Sequence, residues 1–403
     1  MKKVLAFVLA LLLAAGAFCG CAGEEDLKQT YEQEMIRVMR AMTFYAVNQY
    51  YIQTITNYII IDSPAWLTLK TYDWGFCSGI KKNDLNDVYT DNYVKTGDDT
   101  VECDFYCNND IQWVAWNYKA RYYLRYHVTI KYHTFQGKQN WFLYDFYNLP
   151  CDVEQQKAEE YNQTLDEGMH IEAISGMTYR GYVLTVDDPA RVKAGAIKVF
   201  SDKSGGWQVE KFYSEFKGAA TINGGAFLDG DGTRGGIPEG YVVTDGVLRR
   251  RNEWRNVNAF VVMGFDYDNK LHVGRYKDDE LEALHLRDAL AFQAALIKDG
   301  ERQEIVQNHI SRPYTARTGI GQDADGKVYF LIVQGRDPGS LGCSMENMAD
   351  IYEELGCVNA ATLDGGYSTA LMLGPERVYT SYHYGTSRPM PTVFYVKPLS
   401  EEE

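Results

Sequence analysis

Ala361-Thr362-Leu363-Asp364-Gly365-Gly366-Tyr367-Ser368-Thr369-Ala370 is the stretch from which the rest of the chain is best read. An apolar run ends in a carboxylate, and two glycines follow. Ala219-Ala220-Thr221-Ile222-Asn223-Gly224-Gly225-Ala226-Phe227 has the same grammar, with an amide in place of the acid. A strand carries such a polar side chain to its end. Glycines there let backbone N–H groups approach a ligand closely and point the same way. That suits an anionic or sugar-phosphate ligand. A third segment runs from Arg317-Thr318-Gly319-Ile320-Gly321 through Asp325-Gly326 to Val333-Gln334-Gly335-Arg336. Arg336 at a strand end offers a planar fork for phosphate oxygens. Singly, Asp-Gly-Gly and Asn-Gly-Gly are ordinary turn sequences and an Arg after Gly is ordinary surface. The weight lies in their joint order.

The texture around these segments is glycine-rich from Met177 onward. Asp-Gly pairs recur at Asp229, Asp231, Asp245, Asp299 and Asp325. Between apolar runs the pair signals a type I′ hairpin, which needs positive φ at both central residues. A helix is predicted after Ser344 as N-cap, with Met345, Met348, Ala349, Tyr352 and Leu355 on one face and Gly356 as its stop. Residues 177–399 therefore read as a mostly β, α+β domain. Upstream, Leu27 to about Asn57 has helical spacing, and Trp66 to Tyr147 turns aromatic and β-branched, with a turn at Gln136-Gly137-Lys138. Helices followed by a curved antiparallel sheet make residues 22–150 a small α+β domain, for which a cone shape like nuclear transport factor is one option. Its aromatic stripe reads as core packing rather than a ligand cup. The polar, acidic stretch 151–176 reads as a linker or short connecting helix.

Composition sets the frame. The 403 residues are 45% apolar and 24% charged, which excludes global disorder and suggests two domains. A formal charge of −15 excludes a free nucleic-acid binder. Lys2 and Lys3 precede the apolar run Val4–Ala17. That run is shorter than the about 20 residues of a spanning helix and has the flanks of an export signal. Cys21 follows Gly20 as in a bacterial lipoprotein cleavage box, so residues 1–21 read as a signal and Cys21 as a lipidated anchor. The expectation is an exported protein held at a membrane face of the bacterial cell envelope. An exported protein permits disulfides. Cys103 and Cys107, about 13 Å apart in a strand, should not pair with each other. Nor should Cys343 and Cys357, about 18 Å apart across a helix. Pairings among Cys77, Cys103, Cys107 and Cys151 stay open. No Cys/His spacing makes a zinc site, and no cofactor or divalent cation is demanded by any ligand spacing.

From about Gly181 to Pro398 the chain resembles the phosphodiester glycosidases. The resemblance rests on Asn223-Gly224-Gly225-Ala226-Phe227, Gly240–Gly246, Arg317-Thr318-Gly319-Ile320-Gly321, Gln334-Gly335-Arg336, an acid on the following helix, Leu363-Asp364-Gly365-Gly366-Tyr367-Ser368, and Arg388 before the last strand. Three positions depart from the family pattern: Gly319 replaces Ala, Gln334 replaces Asp, and Tyr367 replaces a third Gly. The resemblance implies a hydrolase that cuts a sugar-1-phosphodiester, in glycan, teichoic-acid-like or exopolysaccharide material. It implies Asp364 as the carboxylate at the oxocarbenium-like centre, with Glu346 as second candidate, Asn223 on a sugar hydroxyl or water, and Arg336, Arg317 and Arg388 on phosphate. Thr318 and Ser368 would bond phosphate, and Gly224, Gly225, Gly365 and Gly366 would line the substrate. Two other readings stand beside it. One is a non-catalytic glycan-binding lipoprotein. The other is a serine hydrolase, since Gly366-Tyr367-Ser368-Thr369-Ala370 nearly spells a nucleophile elbow with His383 as base.

Overall fold

The computed structural model describes residues 23–46, 56–71, 80–113, 119–201, 203, 205–228, 234–251, 260–381 and 386–399. The stretch 1–21 expected as an export signal, with Cys21, and also Cys77, Asp229, Asp231 and His383, lie outside the described residues.

The chain enters through helix α1 (Glu24–Ala46), whose acidic first turn complements the helix dipole. Met35, Val38, Met39 and Met42 form its buried stripe. Helix α2 (Pro64–Thr71) replaces the start of the strand region expected at Trp66. Ser63 caps it by accepting from the Trp66 N–H at 3.2 Å, and Pro64 suits the first turn. Then come β1 (Ile80–Gly97), β2 (Thr100–Trp113), β3 (Lys119–Phe135) and β4 (Lys138–Asn148), an antiparallel sheet in the order β1-β2-β3-β4. Val101, Cys103, Phe105 and Cys107 on β2 alternate inward with Leu124, Tyr126, Val128 and Ile130 on β3, and all join one core with α1. Irregular register between β1 and β2 at Asn86/Tyr89 and Asp91/Val94 bends the sheet. The β3–β4 turn falls at Gln136 (φ 50) and Gly137 (φ 76), as expected.

The stretch 151–176 contains the short helix expected there, and a strand that was not expected. It forms helix α3 (Asp152–Asn162) and strand β5 (Met169–Ser175), which pairs along its whole length with β6 (Arg180–Val186). Glu159 and Glu160 face water and Glu154 turns in to Arg180, while Ala158, Tyr161, Met169 and Ile171 enter the C-terminal core. The Asn162 carboxamide brackets the Ile171 backbone, donating to its carbonyl and accepting from its N–H, both at 2.8 Å.

Three further sheets follow, assembled from β7 (Val192–Ala196), β8 (Ala220–Asn223), β9 (Val242–Thr244), β10 (Val247–Arg250), β11 (Val261–Phe265), β12 (Leu271–Gly274), β13 (Asp288–Phe292), β14 (Ala295–Lys298), β15 (Glu301–Arg302), β16 (Arg317–Asp323), β17 (Val328–Val333), β18 (Cys357–Thr362), β19 (Ala370–Leu373), β20 (Glu376–Thr380) and β21 (Thr392–Val396). Their orders are β10-β9-β13-β11-β12, β15-β14-β18-β16-β17-β6-β5 and β20-β19-β8-β21-β7. Helices α4 (Val209–Phe216), α5 (Asp278–Ala283) and α6 (Met345–Glu354) punctuate them. The α+β class expected from sequence is the class observed. Asp245-Gly246 and Asp299-Gly300 take positive φ at both residues, the type I′ requirement. At Asp325-Gly326 only Gly326 does so. The loop there is wider, held by the Asp323 carboxylate accepting from the Asp325 and Lys327 N–H groups. Ser344 caps α6 as expected, accepting from Asn347 N–H at 3.2 Å, and Gly356 follows with φ 74.

Cys103, Cys107, Cys151, Cys343 and Cys357 are buried free thiols. Burial pushes the thiols of Cys103, Cys107, Cys343 and Cys357 up to about 12, so they act as small apolar side chains. Among the described residues no helix is long and apolar enough to cross a membrane.

The N-terminal sheet grips the loop after β17. Leu341 is buried in the N-terminal core. The Tyr126 hydroxyl donates to the Pro338 carbonyl at 2.7 Å. Arg180, fully buried, donates to the carbonyls of Gly339 and Tyr123 and lies 3.3 Å from Glu154. The Tyr314 N–H donates to the Thr71 carbonyl at 2.9 Å.

Candidate functional site

Strands β8 and β18 belong to different sheets, yet their ends meet. The Asn223 side chain, fully buried, makes the join. Its Nδ2 donates to the Asp364 carbonyl at 2.7 Å. Its Oδ1 accepts from the Thr318 hydroxyl at 2.8 Å and from the Ala370 N–H at 3.0 Å. The backbone repeats the join: Asp364 N–H donates to the Gly224 carbonyl at 3.0 Å, and Leu363 N–H to the Thr318 carbonyl at 2.8 Å. One amide thus ties together all three segments singled out in the sequence.

Arg336 reaches the same corner from the end of β17. Its own φ is 62, a left-handed conformation. Its Nε donates to the Thr315 hydroxyl at 3.0 Å. Its guanidinium carbon lies 4.2 Å from the centre of the Tyr367 ring, a cation–π contact. A Cβ on Gly366 would stand 2.8 Å from the Arg336 Nη2, and Gly366 has φ 56, so glycine is required twice over. Tyr367, the bulky departure from the family pattern, is therefore a shelf under the arginine. Arg388 stacks on the Ala219–Phe227 segment, its guanidinium carbon 4.9 Å from the Phe227 ring centre.

The glycines do something other than expected. Gly224 N–H donates to the Thr392 carbonyl, Gly225 N–H to the Thr392 hydroxyl, Gly365 N–H to the Asp364 carboxylate and Gly366 N–H to the Ala316 carbonyl. These N–H groups hold the corner together and are not a cradle for an anion. Close packing is the reason for glycine: a Cβ at Gly224 would lie 2.4 Å from the Thr392 hydroxyl, and one at Gly225 2.3 Å from the Ala291 carbonyl. Thr318 likewise turns its hydroxyl to Asn223.

Two expected site residues are placed elsewhere. Arg317 is buried, and its guanidinium donates to the carbonyls of Cys343, Ile310, Ser311 and Pro313. It is a loop clamp, because a fork with five donors can gather several carbonyls at once. Glu346 lies on the outer side of α6, paired with Arg302 at 2.8 Å in a cluster with Asp350 and Glu353, and bonded to Gln307. Its α6 position placed it there: the buried stripe is formed by Met345, Met348, Ala349, Ile351 and Tyr352. Ser368 is buried with no hydrogen-bond partner for its hydroxyl. It sits in a single 3₁₀ turn, Gly366–Ser368, leading straight into β19. A nucleophile elbow needs a strand, the serine and then a helix, and this turn lacks the helix.

Asp364 and Arg336 are each half-buried at this corner. A cavity of about 620 Å³ is walled in part by Phe260, Gln293, Ala294, Lys298, Asn308 and Met345, and Asn223, Arg336 and Asp364 are not in its wall. Ala294 exchanges hydrogen bonds with Thr362 on β18, Thr362 N–H donating to the Ala294 carbonyl at 3.0 Å. None of these lining residues was legible as a site in sequence: they are single polar or apolar residues in loops and at element ends, with no motif. Among the described residues no group of three or more His, Cys, Asp or Glu side chains is placed to hold a metal ion.

The corner holds a carboxylate and a guanidinium. Residues 217–397 match the phosphodiester glycosidase family. The resemblance expected of the C-terminal half therefore holds. A prophage-derived uncharacterized protein of Bacillus subtilis is 29% identical over 140 residues, 32% of this chain and 21% of its own, so this chain spans about a fifth of that relative. Among solved structures, the catalytic domain of zebrafish N-acetylglucosamine-1-phosphodiester alpha-N-acetylglucosaminidase, auto-inhibited by its pro-peptide, is 21% identical. It covers 57% of this chain and 82% of its own at a TM-score of 0.49. A hypothetical protein from Synechocystis is 12% identical, covering 78% and 80% at a TM-score of 0.44. The phosphodiester glycosidase match begins just before β8 and ends just after β21, so it contains Asn223, Arg336 and Asp364 together.

Proposed function

We propose that this protein is a hydrolase that cleaves the bond between a sugar anomeric carbon and a phosphodiester oxygen. Water adds its hydroxyl to the anomeric carbon, and the bond electrons leave with the phosphate as a phosphomonoester. The observation that carries the reading is the Asn223 join, which brings Asp364 and Arg336 to one corner inside the stretch that matches the family.

The chemistry suits such a corner. A phosphate leaving group has a second pKa near ~6 and needs little general-acid help. Arg336, braced by Thr315 and Tyr367, bonds the phosphate oxygens and stabilises the charge that grows on them. Asp364 faces the oxocarbenium-like centre or takes the proton of the attacking water. Asn223 acts through position, fixing the backbone of the Asp364 turn. The export signal and Cys21 support action at a membrane face of the cell envelope, on glycan or polymer material bearing sugar phosphodiesters.

The test is a panel of sugar-1-phosphodiesters incubated with the mature protein, scored by released sugar and phosphomonoester. Turnover by the parent protein and a loss of about a thousandfold in Asp364→Asn, with unchanged circular dichroism, is expected. Saturable binding without turnover by any member would replace this reading with a glycan-binding one.

A further inference from the structure

Residues 303–316 cross from β15 to β16 with no helix or strand among them. Irregular stretches beyond about 12 residues are uncommon inside a domain, and they are usually either functional or disordered. This one is pinned. The Asn308 Oδ1 accepts from the Ile310 N–H at 2.7 Å and from the Ser311 N–H at 3.1 Å. The Ser311 hydroxyl donates to the Val306 carbonyl at 2.7 Å and accepts from the Asn308 N–H at 3.0 Å. Arg317 gathers the Ile310, Ser311 and Pro313 carbonyls. The loop held at these points forms one wall of the cavity of about 620 Å³.

The lining names a ligand chemistry. Gln293, Gln303 and Asn308 bring three carboxamides to it. The Gln293 carboxamide is half-buried and has no hydrogen-bond partner among the described residues. Asn308 spends its Oδ1 on the loop and keeps its NH₂ group unused, while Gln303 donates to the Glu301 carbonyl at 2.9 Å and keeps its oxygen. A carboxamide offers a donor and an acceptor in one plane, which matches two neighbouring sugar hydroxyls. Phe260, Ile305 and Met345 add apolar surface to the same lining, which suits the C–H faces of a pyranose ring. Val306 lines it too and is 71% exposed, an apolar contact left open for a ligand to cover. Charge gives no handle for an anion: Lys298 is matched by Glu304 in the lining, and Arg275 is engaged with the Gln293 carbonyl at 3.0 Å. The volume falls within the about 300–1,000 Å³ of pockets that enclose small molecules, which leaves room for a disaccharide.

We propose that this cavity is a glycan-holding site, separate from the reaction corner, which binds an uncharged disaccharide segment through Gln293 and Asn308. Asn223, Arg336 and Asp364 are not in its wall. The site stands on the cavity and its pinned loop, and not on the glycosidase reading. Where the substrate is a polymer, a second hold on the same chain raises the local concentration of scissile bonds at the corner.

Calorimetric titration tests it without reference to turnover. Cellobiose, maltose and N,N′-diacetylchitobiose are each titrated at millimolar concentration into the mature protein. The parent protein should bind at least one of them saturably, and Asp364→Asn should bind it alike. Gln293→Leu and Asn308→Asp should each weaken that binding by about tenfold. Asn308→Asp keeps the acceptor oxygen that pins the loop, so its melting temperature should match the parent's, and it decides alone should Gln293→Leu fail to fold. No saturable binding of any of the three, or parent-like affinity in a folded cavity variant, overturns the site. Equal weakening in Asp364→Asn would place the sugar in the reaction corner and overturn a separate site. Displacement of the bound disaccharide by sn-glycerol 3-phosphate would make the cavity an anion site and overturn its uncharged ligand. A protein that cleaves no phosphodiester still tests the site, and one that binds no disaccharide leaves the glycosidase reading in place.

Discussion

The N-terminal sheet and the C-terminal sheets solve the same packing problem in opposite ways. In the first, four long strands follow each other in chain order and α1 covers one face. Neighbours in sequence are neighbours in space, so alternation along β2 and β3 is enough to describe the core. In the second, the seven-stranded order β15-β14-β18-β16-β17-β6-β5 joins strands far apart in the chain, most of them short. Such sheets are held by what happens where their ends meet, and there polar side chains replace apolar alternation. The lesson is that the chemistry-bearing residues of this protein are also the fasteners of its long-range topology. Asn223 is the clearest example. The two regions touch through the loop that follows Arg336, so the legible sheet braces the corner that is not legible.

That contrast can be broken or sharpened by substitution. The largest effect is expected at Arg317→Met, which leaves buried carbonyls without a donor. Unfolding free energy should fall by about 3 kcal/mol in a denaturant titration. A loss within measurement error would make Arg317 a spare cation, available to substrate after all. Next is Asp337, beside Arg336. Burial raises its carboxyl to about 6 from 3.8, against the nearby Arg180 and the Gly339 and Ser340 N–H donors. The folded state then holds the proton more tightly than the unfolded chain. Stability should decline as pH rises from about 4 to about 6, by on the order of 3 kcal/mol, and level off above. Asp337→Asn keeps an acceptor oxygen for the two N–H groups and should abolish this slope when the two proteins are compared by denaturation at several pH values.

A smaller effect is expected at the seam itself. Tyr126→Phe removes the hydroxyl that holds the Pro338 carbonyl. Stability should drop by about 1 kcal/mol. If the N-terminal sheet braces Arg336, kcat on a sugar phosphodiester falls while KM barely moves. Unchanged kcat would separate the two regions functionally. Smallest of all is Glu346→Gln, whose exposed pair with Arg302 is worth under about 0.5 kcal/mol and lies in the outer cluster of α6. A large loss of turnover there would show that the outer face of α6 belongs to the site.

Much of the fold was legible. The stripe of α1, the Gln136-Gly137 turn, the hairpins at Asp245-Gly246 and Asp299-Gly300 and both ends of α6 follow from local rules of spacing, capping and φ. In the stretch 151–176 the short helix was legible, but β5 was not, because its apolar residues pair only once β6 is present. In the site, the strand-end positions of Asn223, Arg336 and Asp364 were legible, but the use of the glycines was not. Composition cannot distinguish a glycine that admits a ligand from one that admits Thr392 or Ala291.

By itself, then, the sequence determined the local elements, the strand-end polar residues and the family signature, because each depends on residues close together in the chain. Tertiary structure alone decided that Asn223 stitches two sheets and that Arg317 clamps carbonyls while Arg336 lies on Tyr367. Those outcomes depend on which side chains from distant segments arrive at the same few ångströms, and no spacing along the chain encodes that distance.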